Sequence, residues 1–167
     1  LCEGLSNNLD ITVICAVPSY NGNVETKYKN KKYFFEDISG VKVIRVRVPN
    51  FTKSNKISRM KNLITYFLRA ILATNKLEKQ DFIFTISQPP ILGGLLGVIG
   101  KLLKKGKLIY NIQDFNPEQT NAVGYTNNTV LLKLALAVDK FLCKMFDKII
   151  VVGRDMQEKL RDRFNNK

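Results

Sequence analysis

Five runs of β-branched and aromatic residues, separated by stretches with helical spacing, constrain this chain more than any other feature of its sequence. The runs are Ile11 to Val17, Val41 to Val48, Phe82 to Ser87, Lys107 to Gln113 and Lys148 to Val152, each of strand length. Between them, Ser54 to Lys76 repeats apolar residues at Ile57, Met60, Ile64, Phe67, Leu68, Ile71 and Leu72, a single stripe at helical spacing. Ile91 to Lys104 is a Gly-rich helical stretch behind Pro89-Pro90, and Thr129 to Phe146 and Arg154 to Phe164 read as two more helices. Strands alternating with helices build βαβ units, so the expected class is α/β: a mainly parallel sheet with helices on both faces. Gly22 to Asp37 lacks periodicity and reads as a surface excursion.

Length and composition narrow the organisation. With 167 residues, 45% of them hydrophobic, the chain suits one domain, residues 1–167, or part of a larger protein. Leu1 to Asn8 reads as the last turns of a helix feeding a strand at Asp10, which favours the second option. Cys2, Cys15 and Cys143 are far apart in apolar or helical surroundings, a pattern that suits small buried hydrophobes in a reducing compartment better than a disulfide framework. The chain has no His, and no Asp-x-Asp pair or ligand cluster of convincing spacing, so no metal site is expected. The longest apolar run, Ile91 to Ile99, is broken by three glycines and is too short to span a bilayer. A cytoplasmic location is expected.

The net charge of +13 is unevenly spread. Residues 1–20 and 111–128 each carry −2, whereas 21–50, 51–80 and 101–110 carry +4, +6 and +4. Basic faces of this kind attract nucleic acid, anionic membrane or acidic substrates, and a solvated Lys-rich surface accounts for them equally well.

The segment Leu108 to Glu118 is the place to look for chemistry. Leu108, Ile109, Tyr110 and Ile112 suit an interior strand, and Asp114, Asn116 and Glu118 follow just beyond its carboxyl end, where open α/β sheets place their ligands. Asp and Asn before a Pro are also ordinary turn and cap residues. Two further loops follow strands: Pro18-Ser19-Tyr20-Asn21-Gly22 and Gln88-Pro89-Pro90. In one parallel sheet all three would share an edge.

These loops, taken in order with Ser87-Gln88-Pro89-Pro90, Tyr110 to Glu118 and Val151-Val152-Gly153-Arg154-Asp155-Met156, resemble the N-terminal half of GT-B glycosyltransferases of family 4. The subgroup that builds bacterial O-antigen, capsule and exopolysaccharide units is the most similar. The resemblance spans essentially the whole chain. It implies a Rossmann-like, acceptor-binding domain whose first strand and Gly-containing loop would precede Leu1, and whose nucleotide-sugar-binding partner domain is not in this sequence. No cofactor is implied: the nucleotide-sugar is a co-substrate, held mainly by that other domain.

On this resemblance Asp114 stands where a catalytic residue contacts or electrostatically supports the reacting sugar, whose transition state is oxocarbenium-like. Glu118 would steady the same loop. Pro18, Tyr20, Gly22, Gln88, Pro89, Pro90, Asn116, Gly153 and Arg154 would line the acceptor cleft, with Gly153 allowing close backbone approach and helix N-terminal amides facing an anionic group. The expected acceptor is a glycan on a polyprenyl carrier in surface polysaccharide synthesis. The chain alone would not transfer sugar. Lys53, Lys56, Arg59, Lys61 and Arg69 surround the apolar stripe of 54–76 and would meet the inner face of an anionic membrane, although a helix covering a sheet shows a similar stripe.

Two other classes fit less of the sequence. A basic Rossmann-like module that binds nucleic acid or a partner without catalysis explains the charge, but no aromatic platform is interleaved with the basic residues. A separate acceptor or scaffold subunit would need a donor-domain partner.

Overall fold

The computed structural model describes residues 1–20, 23–52, 54–88, 91–113, 137–138 and 140–163. Gly22, Lys53, Pro89, Pro90, Asp114, Asn116 and Glu118, together with half of the helix expected over 129–146, lie outside the described residues. The class is α/β. The chain divides into two compact units, Leu1–Leu77 and Glu78–Lys167.

In the first unit a short helix α1 (Cys2–Leu5) precedes strand β1 (Thr12–Ala16). A small antiparallel pair follows, β2 (Ser19–Tyr20) with β3 (Asn23–Val24), and then a 3-10 turn over Thr26–Tyr28. Strands β4 (Tyr33–Ile38) and β5 (Val41–Val46) form an antiparallel hairpin, and β1 joins the other edge of β5 in parallel. The sheet order is β1-β5-β4. It is therefore a mixed sheet, and part of the expected surface excursion is its outer strand. The two-residue loop Ser39-Gly40 has positive φ at both positions, 53° and 79°, as a tight primed hairpin turn requires, and the Asp37 carboxylate accepts from the Gly40 amide at 3.1 Å.

Helix α2 (Lys56–Lys76) begins where the Asn55 side chain accepts from the Ser58 amide at 3.0 Å, an N-cap bond. It lies against β1 and β5, and its fully buried positions are residues the stripe does not contain, while Phe67 and Ile71 of the stripe are half-buried. Ala70 and Ala73 are its buried positions, Tyr66 donates to the Ile14 carbonyl at 3.3 Å, and Asn62 donates to the Pro49 carbonyl at 2.6 Å. Val17, Tyr28 and Val48 form the adjoining core.

On the sheet, Glu36 accepts from the Tyr28 hydroxyl at 2.6 Å and from Arg45 at 2.5 Å. The Tyr28 hydroxyl and then Arg45 hold its carboxyl below the ordinary carboxylate range. Arg45 also reaches the Cys15 sulfur at 3.7 Å, while burial pushes that thiol up. Cys2, Cys15 and Cys143 are all free thiols.

The second unit is built on three parallel strands, β6 (Phe82–Ile86), β7 (Lys107–Ile112) and β8 (Lys148–Val151), in that spatial order. Helix α3 (Leu92–Lys104) joins β6 to β7, and α4 (Arg154–Arg163) follows β8. Residues 137–138 and 140–143 are helical. Leu108, Tyr110 and Ile112 point alternately to one face of β7 and are buried there. Leu108 packs with Val98 and Leu142, while Tyr110 and Ile112 pack with Met156. Leu108 is fully enclosed, a burial worth about 1.5–3 kcal/mol for a side chain of its size. Phe82, Phe84, Ile86 and Ile150 lie on the opposite face and are exposed.

Small residues set how closely α3 approaches β6. A Cβ on Gly93 would run into the Ile86 carbonyl oxygen, and one on Gly97 would stand 2.5 Å from the Thr85 methyl. The Thr85 hydroxyl uses the space to donate to the Gly93 carbonyl at 2.9 Å.

Among the described residues the strands form two three-stranded sheets and the two-stranded β2-β3 pair rather than one sheet. Among the described residues the first strand of each unit, β1 and β6, is paired on one side only, by β5 and by β7 respectively.

Candidate functional site

The three parallel strands of the second unit end together, because Ile86 is paired with Asn111 and Ile112 with Val151. Their carboxyl edge is therefore a single rim carrying Ser87-Gln88, Gln113 and Val152-Gly153-Arg154. In an open α/β sheet this is the edge that receives ligands.

One buried side chain organises the rim. Ser87 is 3% exposed. Its amide donates to the Asn111 carbonyl at 3.0 Å, and its hydroxyl oxygen accepts from the Gln113 amide at 3.1 Å. The exits of β6 and β7 are thereby fixed to one another. Gln113, the residue before Asp114 in the sequence, is exposed at this edge, and so is Gln88. Ser87 was not among the residues expected to form the site; its position between an apolar strand and Gln88-Pro89-Pro90 was the available signal.

Two helices open at the same rim. Helix α3 starts after Ile91, which takes φ 64°, a backbone state that a β-branched residue rarely adopts. Helix α4 starts at Arg154, directly after Gly153. The close approach that Gly153 permits is made by the chain itself: the Asp155 carboxylate oxygen would lie 2.5 Å from a Cβ at that position. Asp155 in the first turn of α4 complements the positive end of the helix and brings negative charge to this corner. Arg154 beside it is exposed.

Away from the rim, Asp147 ties the start of β7 to α3. Its carboxylate accepts from Lys101 at 2.7 Å and from the Leu108 amide at 2.7 Å. The Lys101 ammonium first, and then the Leu108 amide, hold the Asp147 carboxyl below its ordinary range.

The remaining expected residues distribute as follows. Pro18 and Tyr20 belong to the first unit: Pro18 is exposed after β1, and Tyr20 pairs with Asn23 in the β2-β3 hairpin. Lys56, Arg59 and Lys61 are exposed on the first turns of α2. Arg69 departs from the expectation of a membrane-facing cation, because it donates to the Arg47 carbonyl and so turns toward the sheet. Among the described residues no three His, Cys, Asp or Glu side chains come together to hold a metal ion.

Comparison of the chain with protein-family models, with curated proteins and with solved structures gave no match.

Proposed function

We propose that the chain is the acceptor-binding domain of a retaining glycosyltransferase that passes a sugar from a nucleotide-sugar to a polyprenyl-linked glycan in surface polysaccharide synthesis. The observation that carries this reading is the common carboxyl edge of β6, β7 and β8, which gathers Gln88, Gln113 and Gly153-Arg154, with Asp114 next in sequence after Gln113. In this reading Asp114 is the carboxylate that supports positive charge developing on the transferred sugar. Gln88 offers an amide to acceptor hydroxyls, and Arg154 faces the phosphate that links sugar to lipid, since guanidinium and phosphate oxygens match in charge and geometry. The nucleotide-sugar is held mainly by a donor-binding domain.

Titration of the chain, followed by amide NMR, with a short-chain polyprenyl-phosphate-linked sugar tests the binding half. Shifts concentrated at Ser87, Gln88, Gln113, Gly153 and Arg154 are expected, and shifts scattered over the basic surface would contradict the assignment. The catalytic half is tested in an enzyme containing both domains: Asp114→Ala should cut transfer by two orders of magnitude or so, the scale of one lost electrostatic contact to a transition state. Undiminished transfer would remove Asp114 from the chemistry.

A further inference from the structure

Five of the seven apolar stripe residues of helix α2, Ile57, Met60, Ile64, Leu68 and Leu72, are exposed, and we propose that this outward stripe docks the chain onto an anionic lipid bilayer. The sheet-side residues are Asn62, Tyr66, Arg69, Ala70 and Ala73, whose polar members bond to carbonyls of the sheet or its flanks. At 3.6 residues per turn, Ile57, Ile64 and Leu68 fall about half a turn from that contact and Leu72 about a third of a turn. Their exposures are 81%, 49%, 55% and 55%, and Met60 beside them is 56% exposed. A helix lying on a sheet in water places polar residues on its outer side. This one presents a row of large apolar side chains from Ile57 to Leu72, about 22 Å long.

The stripe calls for an apolar partner, and charge selects which one. From Lys56 to Lys76 the helix carries Lys56, Arg59, Lys61, Arg69 and Lys76 and not one Asp or Glu. Pairing two copies of this helix would bring like charges together, which disfavours a self-associated dimer. An anionic bilayer answers both features: aliphatic side chains enter the boundary between headgroups and acyl chains, and lysines stay among the phosphates. No helix among the described residues is long and apolar enough to cross a membrane, so α2 lies along the surface. Lys56 and Lys61, both exposed in the first two turns, flank the stripe on either side and give the contact its polar rim. This inference stands apart from the reading of the carboxyl edge, which involves the other unit of the chain.

Co-sedimentation of the chain with sucrose-loaded vesicles tests it, using equal parts phosphatidylglycerol and phosphatidylcholine against phosphatidylcholine alone. Sedimentation with the anionic vesicles only is expected. Ile64→Ser with Leu68→Ser should weaken partitioning at least tenfold, given the apolar area withdrawn from the bilayer. Lys56→Gln with Lys61→Gln should weaken it on the order of tenfold and flatten its salt dependence. All four positions are exposed, and circular dichroism verifies that each variant keeps the fold. Failure to sediment, equal binding to neutral vesicles, or binding untouched by the serine pair would overturn the proposal. So would a dimer that the serine pair converts to monomer without any vesicle binding, which would make the stripe a self-association face.

Discussion

The Gln113 amide donates to the buried hydroxyl oxygen of Ser87 at 3.1 Å, so the chain leaving β7 is held by a side chain from the end of β6. The Ser87 amide has its own partner, the Asn111 carbonyl. A backbone ladder that would otherwise fray at its last pair is thus extended by one side-chain rung.

Ser87→Ala removes that rung without changing the strand. The Gln113 amide then loses its acceptor, though its exposed surroundings let water replace part of the bond. A loss of about 1 kcal/mol is expected, at the low end for an orphaned donor, read as a lower urea midpoint at unchanged m. Faster hydrogen exchange at Gln113 should accompany it.

Glycine at 93 is demanded by backbone. Because a Cβ there meets the Ile86 carbonyl, Gly93→Ala must push α3 away from β6 or twist its first turn. A destabilisation of about 1–3 kcal/mol is expected from overpacking, more than the gain in helix propensity returns. Gly4→Ala is the control: nothing lies within 4 Å of a Cβ at that position, so thermal unfolding should shift little or slightly upward.

Much of this architecture was legible because periodicity is a property of the chain itself. The strand reading Lys107 to Gln113 became Lys107–Ile112, and the helix reading Ser54 to Lys76 became Lys56–Lys76, with only the ends revised. Strand β4 was missed because Tyr33-Phe34-Phe35-Glu36-Asp37 does not alternate, yet Ser39-Gly40 ahead of Val41 was a hairpin signal. The direction of α2 was the deeper difficulty. Its stripe is real, but a stripe does not say which side meets the sheet; here small and hydrogen-bonding residues, Ala70, Ala73, Tyr66 and Asn62, do so. Of the three loops expected on one edge, Gln88 stands at the rim of the second unit, Pro18 and Tyr20 belong to the first unit, and Asp114 to Glu118 lies outside the described residues; Gly153-Arg154, not one of those three, joins Gln88 at the rim. Ser87 belongs to a motif the sequence displays, but its role depends on pairing between β6 and β7, which no local pattern encodes.

Acid should weaken the second unit through Asp147. Its carboxyl titrates lower in the folded chain than in the unfolded one, owing first to Lys101 and then to the Leu108 amide. A lowered folded value means the contribution is fully present above the unfolded value, about pH 4, and is lost as pH falls through the folded value. Asp147→Asn should therefore reduce stability at neutral pH and flatten its decline below about pH 4. The side chain is 39% exposed, so solvent screening keeps its Coulombic share small; Asn still offers an oxygen to the Leu108 amide, and the loss follows mainly from that acceptor becoming neutral, about 1 kcal/mol. Urea midpoints measured across that pH range, wild type against variant, provide the check.

Arg154 and Asp155 make opposite predictions for the proposed acceptor. Asp155 places a carboxylate against Gly153 at the opening of α4, and Arg154 is the exposed cation beside it. An acceptor whose sugar is joined to lipid through phosphate brings negative charge to this corner, gaining from the guanidinium and from the helix end and losing to the carboxylate. Arg154→Gln should raise the Kd for a phosphate-linked acceptor on the order of tenfold, about the worth of one charge-assisted contact, and Arg154→Glu should raise it further. Asp155→Asn should tighten binding. The matching sugar without phosphate should respond to none of these changes, so calorimetric titration of both compounds separates an anion-reading corner from a general effect on the fold. Equal binding of the two compounds by the unsubstituted chain would show that this corner does not read the phosphate.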